Sequence, residues 1–430
     1  MPDVIVAGGG LAGLAATAAL ASSGYSVTLF EARPYLGGRA TSYEIDSETI
    51  DNCQHILLRC CVNLIDFYQR LGVEKDIAFH RDIFFIEPGG RRSVLHSGIL
   101  PAPAHFAESF LRLKFLNMGE KLAVARAILA IGRERNRPDL DRITMQQWLE
   151  EKRQPVRAIE RFWRQVLVSA VNEELDRMAA SHGFKVFRLG FLVRSNSYEM
   201  GVPAVPLGAL YGREAWARLG NADLRMRAPV EKIVIENGRV GHALVAGEKM
   251  RADHYICAVP FERIAAIVPD LPFDDSSFDH SPITGIHLWF DRPITDLPHA
   301  TLLDRTIQWV FNKSEGRYIQ LVVSASRSLE TMPRADVIAL AVRELAEFFP
   351  AVSEAKLEKA HVVKEVRATF SASPGLELRR PTSRTLIPNL TLAGDWTRSG
   401  WPATMEGAVR SGYLAAEAVS GKKFLLPDIA

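Results

Sequence analysis

Apolar residues come in two rhythms along this chain. Short unbroken runs alternate with stripes spaced by three or four, which predicts an α/β protein. The runs at 4–7 and 27–30 read as buried strands, and the Ala- and Leu-rich stretch 14–21 between them reads as a helix. Residues 63–71 have helical spacing and end at Gly72, a C-cap. Residues 82–95 read as a hairpin turning at Pro88-Gly89-Gly90. At 104–135 apolar residues interleave with Arg112, Lys114, Lys121, Arg126, Arg133 and Arg135. Such helices lie either on an anionic membrane surface or on a core with the basic face in water. Thr144 caps the next helix, with Gln147 at its third position, and 156–176 continues helical. Residues 184–193 are apolar and aromatic: ordinary core, or the lining of a lipid pocket.

The second half repeats the alternation. Residues 200–211 hold three turn-makers among apolar positions and read as a loop, followed by a short helix at 214–219. Strands are predicted at 224–230, 232–235, 253–260, 284–290, 307–311, 318–324 and 361–368, with a helix at 335–349. Residues 390–397 run as a strand into a turn, and 401–412 open a last helix.

Composition narrows the class. The 430 residues are 47% hydrophobic with a net charge of +2, room for two domains and no field that would draw nucleic acid. Cys53, Cys60, Cys61 and Cys257 form no C-x-x-C pair, so neither a metal site nor a disulfide framework is expected. The first strand starts almost at once, leaving no room for a signal peptide. No apolar run reaches the ~18 residues of a spanning helix. The chain is therefore expected in the cytoplasm, or peripheral to the inner face of the cell membrane.

The candidate chemistry lies at the two ends. Gly8-Gly9-Gly10-Leu11-Ala12-Gly13 joins the first strand to the first helix as G-x-G-x-x-G. Gly8 allows the tight turn, Gly10 the approach of a pyrophosphate, and Gly13 close packing of helix on strand. The helix N-terminus offers free amides and a positive dipole end. Glu31, ending the second strand, can accept hydrogen bonds from a ribose hydroxyl pair. Ala32 follows it, and then Gly37-Gly38-Arg39 makes a second close backbone approach with a guanidinium for phosphate.

This combination resembles the FAD-binding family of amine oxidases and phytoene desaturases. The stretch from Gly394-Asp395 to Thr404-Met405-Glu406-Gly407 and Gly412 is similar to that family's second FAD motif. The resemblance implies that Asp395 bonds the ribityl or pyrophosphate region. The amides of Thr404, Met405 and Glu406 would face the flavin N1–O2 edge, and the backbone at Val230 would read adenine. With no cysteine in that segment, the FAD is expected to be non-covalent.

The implied fold is a Rossmann-like FAD-binding domain (1–75, 212–268 and 378–430) with an inserted α+β substrate-binding domain (76–211 and 269–377). Asp51-Asn52-Cys53-Gln54-His55 resembles the D-x-G-x-H loop of the squalene-associated desaturase-like branch, with Cys53 in place of Gly. A left-handed conformation there would strain Cys53. Members of that branch are hydroxysqualene dehydroxylases of hopanoid synthesis. An isoprenoid substrate and an external electron donor are thus implied, with His55 and Asp51 as candidate general acids; His55 reads equally as a flavin-edge contact or a structural histidine. Carotenoid-type desaturation, amine oxidation with Trp396 and Trp401 as an aromatic pair, and a lipid-escort role without flavin chemistry are the rival readings.

Overall fold

A computed structural model describes residues 2–429. Five parallel strands form one sheet in the order Ala222–Arg225, Ser26–Phe30, Asp3–Ala7, His254–Cys257, Leu390–Leu392. Asp3–Ala7 (β1) sits at its centre, with Ser26–Phe30 (β2) beside it. The helix Leu11–Ala21 (α1) is buried along its whole length, its residues apolar except Thr17, whose hydroxyl donates to the Gly13 carbonyl. The C-terminal helix Met405–Ser420 packs on it so closely that a Cβ at Gly412 would stand 2.2 Å from the Ala12 carbonyl oxygen. Val62–Leu71 (α2) shares this core through Leu64, Phe67 and Tyr68, and ends with Gly72 in the left-handed region.

A second sheet has seven strands in the order Leu357–Phe370, His280–Phe290, Tyr318–Ser324, Trp309–Ser314, His299–Leu302, Ile83–Ile86, Arg92–Leu95. Its pairs are antiparallel except that of His299–Leu302 with Ile83–Ile86. One face buries Ile286, Leu288, Ile319 and Leu321 under the helix Arg334–Phe348. The other turns Phe85, Trp309, Phe311 and Val322 toward Cys53, Phe30 and a helical layer. In that layer Trp148, Phe162, Trp163, Phe184 and Phe187 meet edge to face.

Several elements differ from the sequence expectation. Residues 200–203 are not loop: Met200–Pro203 is a strand between Leu57–Leu58 and Ile77–His80, a pairing with distant partners that no local turn signal announces. The helix at 156–176 stops at Val171, where Asn172 turns left-handed (φ 57°), and carries a π-turn at Ile159–Trp163. The 184–193 stretch is the end of the helix Ala180–Phe187 and a further π-turn, Arg188–Leu192. The strand His299–Leu302 had no reading of its own. The 104–135 segment packs on the core. Ala123, Val124, Ala127 and Ile131 pack inward while Leu122, Arg126, Leu129 and Arg133 face out.

Candidate flavin site

The strand-to-helix turn after β1 makes an anion cradle. Gly8 has φ +112° and donates its amide to the Phe30 carbonyl at 2.8 Å. Gly10 caps α1 without a side chain, and the first turn holds no acid, so its amides and dipole remain available to an anion. At Gly10 the nearest atom to a Cβ position is the Gly38 Cα, 3.9 Å away, leaving the approach to the backbone open. At Gly13 a Cβ would stand 2.0 Å from the Gly8 oxygen, so helix and turn meet directly. These features fit a pyrophosphate.

The rest of the fingerprint gathers around this turn. Glu31 is buried, with Oε2 accepting from the Gly9 amide (2.6 Å) and Oε1 from the Arg33 amide (2.8 Å). Each oxygen keeps lone-pair capacity for a ribose hydroxyl. Ala32 beside it is exposed. The Ala228 amide donates to the Glu31 carbonyl at 2.9 Å, which brings Val230, first residue of the strand Val230–Glu236, to this edge. Gly37 donates to the Gly9 carbonyl at 2.8 Å, and Gly38 lies against Gly10.

Arg39 also has partners within the chain. Its Nη2 donates to Asp395 Oδ1 at 2.5 Å and its Nη1 to the Ala368 carbonyl at 3.1 Å. Two residues read as separate ligands, from opposite ends of the chain, are one ion pair. Asp395 is buried and follows Gly394, whose amide donates to Ser411 Oγ. Thr404 caps the C-terminal helix, its Oγ1 accepting from the Gly407 amide (3.0 Å) and donating to the Pro402 carbonyl (3.3 Å), with Met405 half-exposed beside it. The Glu406 carboxylate turns away, to the N-terminus of α2. It accepts from the Asn63 amide (3.3 Å), Asn63 Nδ2 (2.8 Å) and the Leu64 amide (2.7 Å). Burial pushes this carboxyl up to about 7, against the pull of those donors and of Arg410.

The loop 51–55 lies against the strand His280–Phe290, where a Cβ at Gly285 would be 3.1 Å from the Asn52 oxygen. Cys53 is not among the residues with positive φ, so the strain expected there is absent. It is buried, its thiol pushed up to about 12 by desolvation, which makes it a poor nucleophile. Asp51 is buried and accepts from Ser42 Oγ (2.6 Å) and the Leu207 amide (2.9 Å), with Lys313 Nζ at 3.6 Å. These contacts tie Asp51 to the strand that holds Ser42 and to the 207 turn.

His55 Nδ1 lies 3.0 Å from the Cys53 carbonyl and therefore carries a proton. Desolvation lowers its pKa, opposed by the Cys53 carbonyl, Asp51, Glu365 and the Arg39 carbonyl. Lys313, unread in the sequence, reaches across from the sheet to Gln54 Oε1 (3.0 Å). Trp396 donates to the Val259 carbonyl and Trp401 to Asp428 from a different cluster, so these two do not form a facing pair. Among the described residues no group of His, Cys, Asp and Glu is arranged to hold a metal ion.

Known proteins resemble this chain in sequence and fold. Residues 11–420 match the flavin containing amine oxidoreductase family. A 15-cis-phytoene desaturase from an Oncidium hybrid cultivar is 27% identical over 97% of this chain and 77% of its own. Another, from Synechococcus elongatus, is 25% identical over 98% of this chain and 96% of its own. An oxidoreductase from Methanosarcina mazei has the same fold, with TM-score 0.74 and 18% identity over 98% of this chain and 100% of that one. A putrescine oxidase also has it, with TM-score 0.74 and 17% identity over 98% and 99%. The family match takes in nearly the whole chain and the cradle fits the cofactor: the chain belongs to the flavin containing amine oxidoreductase family and is an FAD-dependent oxidoreductase.

Proposed function

We propose that this oxidoreductase acts on a long isoprenoid chain, removing the hydroxyl of hydroxysqualene reductively to give squalene in hopanoid synthesis. The observation that carries the reading is the sheet face opposite the loop 51–55. Phe85, Trp309, Phe311 and Val322 share one core cluster with Cys53 there, a wall suited to hydrocarbon. The phytoene desaturase relatives support an isoprenoid substrate, and the resemblance of the loop supports the dehydroxylation. In this reading 1–75, 212–268 and 378–430 hold the cofactor, and 76–211 with 269–377 hold the substrate.

The change replaces a C–OH bond by C–H. The C–O pair leaves on oxygen, a hydride equivalent closes the C–H bond, and a proton turns the departing hydroxide into water. Bound FAD, reduced by an electron donor outside the chain, supplies the hydride chemistry, and the high thiol pKa of Cys53 accords with non-covalent binding. The chain's own part is to hold and exclude. The α1 N-terminus and Glu31 fix the dinucleotide, the Arg39–Asp395 pair ties both ends of the chain together, and the aromatic wall keeps water from an allylic cation. His55 is the residue assigned to the proton. Its lowered pKa makes the imidazolium scarce at neutral pH but a strong acid.

Anaerobic incubation of dithionite-reduced holoprotein with hydroxysqualene should give squalene by mass spectrometry. kcat/KM should rise as pH falls below the ordinary imidazole range near ~6.5, and His55→Gln should flatten that rise. No squalene, with oxidised protein consuming phytoene instead, would favour desaturation; oxygen uptake on polyamines would favour amine oxidation.

No helix among the described residues is long and apolar enough to cross a membrane. Ile99, Leu100, Leu111, Met118, Leu122 and Leu129 are nonetheless exposed beside Arg112, Lys114, Arg126 and Arg133. We assign this face to peripheral contact with an anionic bilayer, from which an isoprenoid would be drawn. The holoprotein should co-sediment with vesicles containing anionic lipid. Leu122→Glu/Leu129→Glu should abolish that without loss of bound flavin; unchanged sedimentation would remove the assignment.

A further inference from the structure

On the sheet face that meets the loop 51–55, two neighbouring rows of three central strands differ in character. Gly285, Val322 and Trp309 stand opposite one another on adjacent strands. One step along, in the same register and on the same face, stand His287, Gln320 and Phe311. His287 and Gln320 are both 0% exposed. Among the described residues, neither Gln320 Oε1 nor Nε2 has a hydrogen-bond partner, and neither has His287 Nε2. The other imidazole nitrogen is occupied, with Nδ1 2.8 Å from the Tyr318 hydroxyl. Tyr318 is itself held by stacking on Trp289, the centroids 4.5 Å apart and the rings nearly parallel.

Buried amide and imidazole atoms left without partners cost free energy, and natural cores retain few of them. Here three such atoms lie side by side on the wall already assigned to substrate. Their chemistry defines what completes them. The Gln320 amide offers one donor group and one acceptor. His287 Nε2 is either donor or acceptor, because the Tyr318 hydroxyl can give a proton to Nδ1 or accept one from it. A neutral oxygen that both donates and accepts satisfies this set, and an alcohol is the simplest such group. A hydrocarbon would leave all three atoms unsatisfied.

We propose that Gln320 and the His287–Tyr318 pair form a hydroxyl-recognition subsite, holding the oxygen of an isoprenoid alcohol beside the apolar side chains of Phe311, Trp309 and Val322. The proposal rests on the reading of the substrate as such an alcohol, and adds which residues distinguish it from the hydrocarbon product. An alcohol held this way gains bonds that squalene cannot make, so product is released as the oxygen is lost.

The test compares hydroxysqualene with squalene as ligands of the oxidised holoprotein, in micelles of fixed composition, read by perturbation of the flavin visible spectrum. Wild type should bind the alcohol roughly tenfold or more tightly. Gln320→Leu and His287→Phe should each bring that ratio toward one, with squalene affinity unchanged or improved. Gln320→Leu removes an unpartnered buried polar group, so its Tm should equal or exceed that of wild type. The proposal is overturned if wild type does not discriminate, if the ratio survives both variants, or if both ligands weaken in parallel. A lower Tm for Gln320→Leu with an unchanged ratio would mark the amide as structural. Discrimination that collapses in the variants, while reduced holoprotein makes no squalene, would sink the dehydroxylation reading and leave the subsite standing.

Discussion

Gly13→Ala should purify as a colourless protein. The added methyl would stand 2.0 Å from the Gly8 carbonyl oxygen, 3.2 Å from its carbon and 3.3 Å from the Ala258 Cβ. None of these can retreat cheaply. Gly8 is pinned by its amide bond to the Phe30 carbonyl, and Ala258 by its amide bond to the Ala7 carbonyl, both within the central sheet. The helix would have to lift from the turn, which swings its first amides away from the phosphate position. Overpacking of this kind typically costs about 1–3 kcal/mol and here acts on backbone, so the upper end is expected. Loss of bound cofactor removes further stability by mass action. The measurements are the ratio of visible flavin absorbance to protein absorbance, and Tm. Gly220→Ala is the control, since a Cβ there meets nothing within 4 Å. A yellow Gly13→Ala with unchanged Tm would show that the turn does not carry the cofactor.

The parts of this site that could be read from the chain are those whose chemistry is local. Gly8 to Gly13 and Glu31 lie within one strand–helix–strand unit, and the close approach that demands Gly13 is made to the Gly8 oxygen in that unit. Thr404 and Thr144 announce their helices because a cap bonds amides two or three residues on. Long-range partners left no such trace. Arg39 and Asp395 each looked like a ligand of the cofactor, and nothing in either segment says that they meet. Cys53 looked strained because the loop was read alone; across from it Gly285 lets the strand come close. Gln320 and His287 sit at ordinary positions of strands buried on both faces, where an apolar run with one polar residue reads as strand and nothing more. Their lack of partners is visible only once the neighbours are in place.

Glu406 is another residue whose role depends on a distant partner, and its pH dependence is the sharper test of the C-terminal half of the site. Its carboxyl is buried under the N-terminus of α2, accepting from two of that helix's amides and from Asn63 Nδ2. Those donors favour the ion, as does Arg410 Nη1 at 3.8 Å. Desolvation is the larger effect and leaves the folded-state pKa at about 7 against an ordinary 4.5. A carboxyl raised on folding binds its proton more tightly in the native state. Its contribution to stability is therefore complete below 4.5 and is lost as pH rises through about 7, about 3 kcal/mol over that window. Glu406→Gln has no proton to lose. The variant should start well below wild type at pH 4.5, because an amide nitrogen now faces amide donors. It should then close the gap by about 3 kcal/mol between pH 4.5 and 8, measured by denaturant unfolding of the two apoproteins side by side. Taking the difference between the two proteins cancels the other titrating groups. A gap that widens toward alkaline pH would mean that the ion is the preferred native form, and that Asn63, Leu64 and Arg410 together outweigh the cost of burying it.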